Sequence, residues 1–135
     1  MKLFLDASFL IYLNSSTHDD RKALDSLFHE LLSKDLYTNL LVIDETLYIS
    51  KTKYGVPYNI TLNFFKNIVL PYVEVIPIDE SDIEIMENYL IKYDIKPSYA
   101  IHLATMEKKS ISHIVSEDEE FDRIKEIHRI WLSKF

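Results

Sequence analysis

Lys2-Leu3-Phe4-Leu5-Asp6-Ala7-Ser8 is a short apolar run that stops on a carboxylate, and Ile114-Val115-Ser116-Glu117-Asp118-Glu119-Glu120-Phe121-Asp122 repeats the arrangement near the other end of the chain. Both read as strands that finish in acid. In an open parallel α/β sheet, ligands collect outside the carboxyl ends of the strands, so two such strands side by side focus several carboxylates on one point. A concentration of bare carboxylates calls for a cation.

Between these two stretches, helical and extended patterns alternate without a linker or a low-complexity tract. Asp19 and Asp20 open a helix running to about Lys34, since acids favour the first turn and Ala23, Leu24, Leu27, Phe28, Leu31 and Leu32 repeat at helical spacing. Leu36 to Asn39 is extended, and Leu40 to about Tyr54 is helical with a stop at Gly55. Pro57 suits the first turn of a further helix to about Leu70, and Val73-Glu74-Val75-Ile76 is a β-branched strand. The Asp79 to Asp82 cluster leads into a helix with Ile83, Met86, Tyr89 and Leu90 on one face. Pro97 starts another through Lys108, followed by strands His113 to Ser116 and His128 to Leu132. The alternation predicts an α/β fold: three layers, α/β/α, around a central parallel sheet of four or five strands, in one domain spanning residues 1–135.

Composition limits the chemistry. The 135 residues are 47% hydrophobic, enough for a core, and no stretch is long and apolar enough to span a bilayer. The N-terminus lacks the pattern of a signal peptide, and the expected setting is the cytoplasm. With no cysteine there is no thiolate site, and His18, His29, His102, His113 and His128 show no HxH or HExxH spacing. Oxygen ligation of a hard ion such as magnesium or manganese follows. A net charge of −7 argues against a protein that coats nucleic acid, although metal-ligating acids contribute to that count. The pairs Lys51, Lys53 and Lys108, Lys109 could meet phosphate, but short lysine clusters are usually solvated helix faces. One glycine, with abundant Lys, Glu, Ile and Tyr, leans toward a heat-adapted source.

Glu45 is the third acid of interest. Leu41, Tyr48 and Ile49 share its helix face, so this carboxylate lies in an apolar stripe and wants a partner. Periodicity alone does not choose between Glu45 and Asp44, whose neighbours Leu40, Leu47 and Tyr48 are equally apolar.

In their order and spacing, LFLDASFLIYL, NLLVIDETLYISKTKYGV, KPSYAIHLATM and IVSEDEEFDRI resemble a PIN-domain protein over essentially the full chain. The resemblance is to the toxins of VapBC toxin–antitoxin pairs and related archaeal proteins. It implies metal-dependent hydrolysis of RNA phosphodiesters with Mg2+ or Mn2+. By motif, the family acids fall on Asp6, Glu45, Asp118 and Asp122, with Asp6, Glu45 and Asp118 as metal ligands and Glu120 beside them. Ser8 matches a small hydroxyl that would hold the first carboxylate. Family members resembling this one carry Asp directly before Ala-x-His, and here that position is Tyr99. The helical spacing of Tyr99, His102, Leu103 and Met106 turns the phenol toward the same cleft. Loss of one carboxylate near a divalent ion costs on the order of 1–3 kcal/mol of metal affinity after screening. The resemblance further implies a VapB-like antitoxin partner and a homodimer formed through helices. The aromatic centre, Tyr48, Tyr54, Tyr58, Phe64, Phe65 and Tyr72, suits an interface or a core.

Other phosphate chemistries fit less well. A haloacid-dehalogenase-like phosphatase needs a second Asp where Ser8 stands, a receiver needs an acid where Pro77 ends the middle strand, and one glycine excludes a P-loop. The rival from another class is a PIN domain that binds RNA or protein without cutting.

Overall fold

Three consecutive residues of the first strand, Leu3, Phe4 and Leu5, are all buried. Successive strand side chains point to opposite faces, so both faces of this strand are covered, as in a parallel sheet packed between helices. The computed structural model describes residues 1–15 and 19–132; His18 lies outside the described residues. The elements in chain order are β1 (Lys2–Leu5), α1 (Ala7–Asn14), α2 (Arg21–Leu31), β2 (Asp35–Asn39), α3 (Leu40–Tyr54) and α4 (Tyr58–Phe64), continued by a π-helical turn (Phe65–Val69). They are followed by β3 (Val73–Ile76), α5 (Asp82–Tyr93), α6 (Pro97–Lys108), β4 (His113–Val115), a 3-10 turn (Glu119–Arg123) and β5 (His128–Ile130).

The sheet has five strands in the order β3-β2-β1-β4-β5, and every pairing is parallel. The α/β architecture expected from the alternation is therefore present with the higher strand count. The chain builds outward from β1 to β3 on one side, then crosses to place β4 and β5 on the other. The strand order reverses between β1 and β4, and such a switch point opens a crevice at the carboxyl ends of the strands. Asp6 follows β1 and Ser116-Glu117-Asp118 follow β4, so the fold delivers both acidic strand ends to that crevice.

Most boundaries lie where the sequence puts them, and the departures are instructive. Helix α2 is shorter at both ends than the expected Asp19 to Lys34. Pro57 precedes the first residue of α4 instead of occupying its first turn, and the helix loses α-geometry at Phe65. β5 stops at Ile130, short of Leu132, because β4 offers a three-residue partner register, His113 to Val115. Helix α1 was not anticipated. Phe9, Leu10, Ile11 and Leu13 are all buried, so this helix is apolar nearly all round and shows no amphipathic period.

Helix α3, from which Glu45 projects, is fixed at both ends. Asn39 caps its start by accepting the Val42 N–H at 2.9 Å, and Gly55 ends it at φ 71° while its own N–H reaches the Lys51 carbonyl. A Cβ at Gly55 meets nothing within 4 Å, so the requirement is conformational, not steric. Gly55→Ala is expected to cost about 1 kcal/mol through the left-handed backbone alone. Chemical denaturation reads that loss, and unchanged stability would show that the helix end relaxes.

Candidate active site

Asp6 lies between the last residue of β1 and the first of α1, and is only 5% exposed. Its Oδ2 accepts a hydrogen bond from Ser116 Oγ at 2.6 Å. Burial pushes its pKa above the usual carboxylate value; His102, the Ser116 hydroxyl and the Ala7 amide pull it back, and Glu45 nearby pushes it up again. Ser8, expected to hold Asp6 in place, acts one step removed. With the Ser116 proton given to Asp6, the Ser8 hydroxyl donates to Ser116 Oγ at 3.4 Å and accepts the Glu117 N–H at 3.1 Å. Ser116 Oγ also accepts the Asp118 N–H at 3.1 Å, so one serine ties the ends of β1 and β4 together.

The pitch of α3 turns Glu45 toward His102 and leaves Asp44 exposed. Glu45 Oε1 lies 3.0 Å from His102 Nε2, and the same nitrogen lies 3.9 Å from Asp6 Oδ1. Asp44 is exposed and lines an apolar groove of about 660 Å3 with Leu40, Leu41, Val75 and Ile78. Glu45 and Asp6 thus share one imidazole, and Glu45 Oε2 has no hydrogen-bond partner among the described residues. His102 itself is fully buried beneath the site, with its ring 5.5 Å from that of Phe4.

Asp118 enters from the other side, as the cap of the 3-10 turn. Its Oδ1 accepts the Glu120 N–H at 2.9 Å, and its Oδ2 accepts a hydrogen bond from the Tyr99 hydroxyl. Tyr99 faces the acids, as its spacing on α6 indicates, and is buried with its ring 4.7 Å from that of Phe121. The phenol therefore fills core space with its ring and binds an acid with its hydroxyl.

The remaining late acids are not gathered into this cluster. Asp122 makes a bidentate ion pair with Arg129, at 3.0 and 3.1 Å, while Arg129 also donates to the Ser116 carbonyl at 3.1 Å. Glu120 pairs with Arg123 at 2.8 Å. Among the described residues, no three acid or histidine side chains stand close enough together to enclose a metal ion. Two carboxylates, Asp6 and Glu45, do converge, and magnesium sites commonly use one or two carboxylates and complete the shell with water and phosphate.

The lysines divide. Lys51 and Lys53 lie over the rings of Tyr58 and Tyr54, at 4.2 and 5.5 Å. Lys108 and Lys109 are engaged in ion pairs with Asp82 and Glu74, at 2.9 and 3.3 Å. The aromatic centre divides too: Phe65 is core, whereas Tyr48, Tyr58 and Tyr72 are exposed. Sequence reasoning passed over His102, Asn39, Ser116 and Arg129. Asn39, a capping residue type directly before a helix, carried a local signal, and His102 lay on the same helical stripe as Tyr99.

A family model described as PIN domain matches residues 3–127. No curated protein sequence matches the chain. Among solved structures, the Mycobacterium tuberculosis VapC20 toxin, described as cleaving the sarcin–ricin loop, superposes with a TM-score of 0.74 at 20% identity, covering 91% of this chain and 95% of that one. VapBC2 from Rickettsia felis, bound to a promoter DNA fragment, gives 0.74 at 15% identity over 97% and 98% of the two chains. FitAcB from Neisseria gonorrhoeae gives 0.72 at 14% identity over 98% and 99%. At these identities the likeness establishes the fold. No helix among the described residues is long and apolar enough to cross a membrane.

Proposed function

Because the chain belongs to the PIN-domain family, a family of nucleases, we propose that it is a metal-dependent endoribonuclease and the toxin of a VapBC-type pair, slowed by Tyr99. The observation that carries this reading is the convergence of Asp6 and Glu45 on one imidazole at the switch point of the sheet, with Asp118 hydrogen-bonded into the same crevice. Asp6 is a buried carboxylate with Glu45 close enough to raise its pKa further, and a divalent cation would relieve both acids.

Asp6 and Glu45 would hold Mg2+ or Mn2+, with Asp118 reached directly or through water. When bound, the ion supplies activation of the attacking water and neutralisation of charge growing on the phosphate. Ser116 keeps Asp6 turned into the crevice, and His102 does the same for Glu45. Tyr99 works against the site by committing one oxygen of Asp118 to a phenol. With fewer free carboxylate oxygens, manganese is favoured over magnesium, whose octahedral demand is stricter. Asp122 and Glu120 contribute through Arg129 and Arg123, shaping the loop instead of ligating.

Among the solved structures that superpose on this chain is one described as a toxin–antitoxin complex from Klebsiella pneumoniae, which supports a small protein antitoxin as partner. The apolar groove at Leu40 and the exposed Ile83 and Ile91 of α5 supply surface for that partner and for a homodimer.

The Tyr99–Asp118 bond also favours a second reading, in which the domain binds RNA or protein without cutting it. Cleavage of a labelled single-stranded RNA in manganese by wild type, Tyr99→Phe and Tyr99→Asp separates the two. Under the nuclease reading, wild type cuts, Tyr99→Phe cuts faster because Asp118 is released, and Tyr99→Asp gains about one to two decades from the added carboxylate. An inert wild type beside an active Tyr99→Asp selects the binding module.

A further inference from the structure

Asn39 connects the start of α3 to the acidic crevice through a series of buried hydrogen bonds whose directions are all determined. Its Oδ1 accepts the Val42 N–H at 2.9 Å, which fixes the orientation of the amide. Nδ2 then faces His102 Nδ1 at 3.1 Å and Thr105 Oγ1 at 3.1 Å. An amide nitrogen only donates, so His102 Nδ1 must accept, and it carries a lone pair instead of a proton. Thr105 is consistent with this, because its own proton goes to the His102 carbonyl at 2.9 Å and leaves a lone pair for Asn39. The ring proton is therefore on Nε2, the nitrogen 3.0 Å from Glu45 Oε1 and 3.9 Å from Asp6 Oδ1. Asn39, His102 and Thr105 are each 0% exposed, so water does not rearrange the assignment.

We infer that Asn39 is a positioning residue that fixes His102 as an Nε2–H donor, and that His102 in turn holds Glu45 beside Asp6 with Oε2 free to take a cation. The inference rests on the metal-site reading above and adds to it the residues that orient the second acid. With the opposite tautomer, a nitrogen lone pair would face the Glu45 carboxylate, and this half-buried side chain would turn out to solvent. The helix cap and the acid site are thus set by one amide: the oxygen starts α3, and the nitrogen chooses the imidazole proton that α3 meets at Glu45.

The ring-nitrogen NMR spectrum of the metal-free protein reads the tautomer, and protection of the Nε2–H from solvent exchange reads its bond to Glu45. Wild type should show an unprotonated Nδ1 and a protonated, protected Nε2. Asn39→Ser, which keeps a good helix cap, should lose the single-tautomer signature, and Glu45→Ala should lose the protection. Mn2+ affinity, followed by electron paramagnetic resonance, should fall about 10- to 100-fold in Asn39→Ser and His102→Leu. His102→Gln, whose amide can place a donor near the Nε2 position, should restore most of it. A wild-type ring protonated on Nδ1, an Nε2–H unprotected in wild type, or an Asn39→Ser protein with wild-type spectrum and Mn2+ affinity would overturn the inference. A wild type that shows the expected ring and protection but binds no Mn2+ defeats the metal reading and leaves the orienting role of Asn39 standing.

Discussion

Asp6→Asn is expected to lower manganese-dependent RNA cleavage about a thousandfold, to the background of the assay. The side chain keeps its shape, and its amide can still accept from Ser116 Oγ, so the loss isolates the charge. Asp6 is the most buried of the candidate ligands, and the stabilisation a divalent ion gives to a phosphoryl transition state is worth several kcal/mol, each 1.36 of which is about tenfold in rate. Removing a raised, poorly solvated carboxylate also relieves its burial, so the variant should melt no lower than wild type. Cleavage that survives the substitution in matched preparations would mean either a contaminating ribonuclease or a site located elsewhere.

The second large effect concerns stability. Asp82 is 1% exposed; its Oδ2 accepts the Asp79 N–H at 2.9 Å, while Oδ1 has no donor in line and is held by the charge of Lys108, 2.9 Å away. Lys108 also donates to the Pro77 carbonyl at 2.8 Å, so this pair joins the end of β3, the first turn of α5 and the last turn of α6. Lys108→Met leaves a buried carboxylate without its counter-charge and is expected to cost about 3 kcal/mol. For a chain of this size that is roughly a 10 °C fall in melting temperature. Adding Asp82→Asn to the same protein should recover most of the loss, because the uncompensated charge is gone. Equal melting of Lys108→Met and wild type would show that Asp82 finds another route to solvent.

The parts of the fold that could be read in the sequence are those with marked ends. α3 and α6 carry clear start or stop residues, Gly55 and Pro97, and the short strands are β-branched runs bounded by breakers. α1 could not be read, because a helix buried all round has no period, and the Glu119–Arg123 turn is too short to have one. For the site, a carboxylate at a strand end was visible in Asp6 and Asp118, since the alternation implies a parallel sheet and the sheet implies where ligands sit. Whether Asp44 or Glu45 faces inward was not visible: both have apolar neighbours at helical spacing, and the answer depends on the angle at which α3 meets α6. Asp122 looked like a member of the acid cluster because its pairing with Arg129 crosses from the 3-10 turn to β5, which no local pattern announces. Tyr99 could be aimed by spacing, yet its hydroxyl partner could not be named from the sequence.

The order of strands in the sheet also bears on how the protein is made. Synthesis proceeds from the N-terminus, and β1, β2 and β3 are neighbours that can pair as soon as α5 has begun to emerge. Asp6 and Glu45 are then present, but Ser116, Asp118 and the whole of β4 are still inside the ribosome or untranslated. The imidazole of His102 and the serine that aims Asp6 arrive only with the last third of the chain. A nascent chain at that stage therefore carries half a crevice, and if the protein cuts RNA, it cannot do so until β4 and the Asp118 turn have emerged as well.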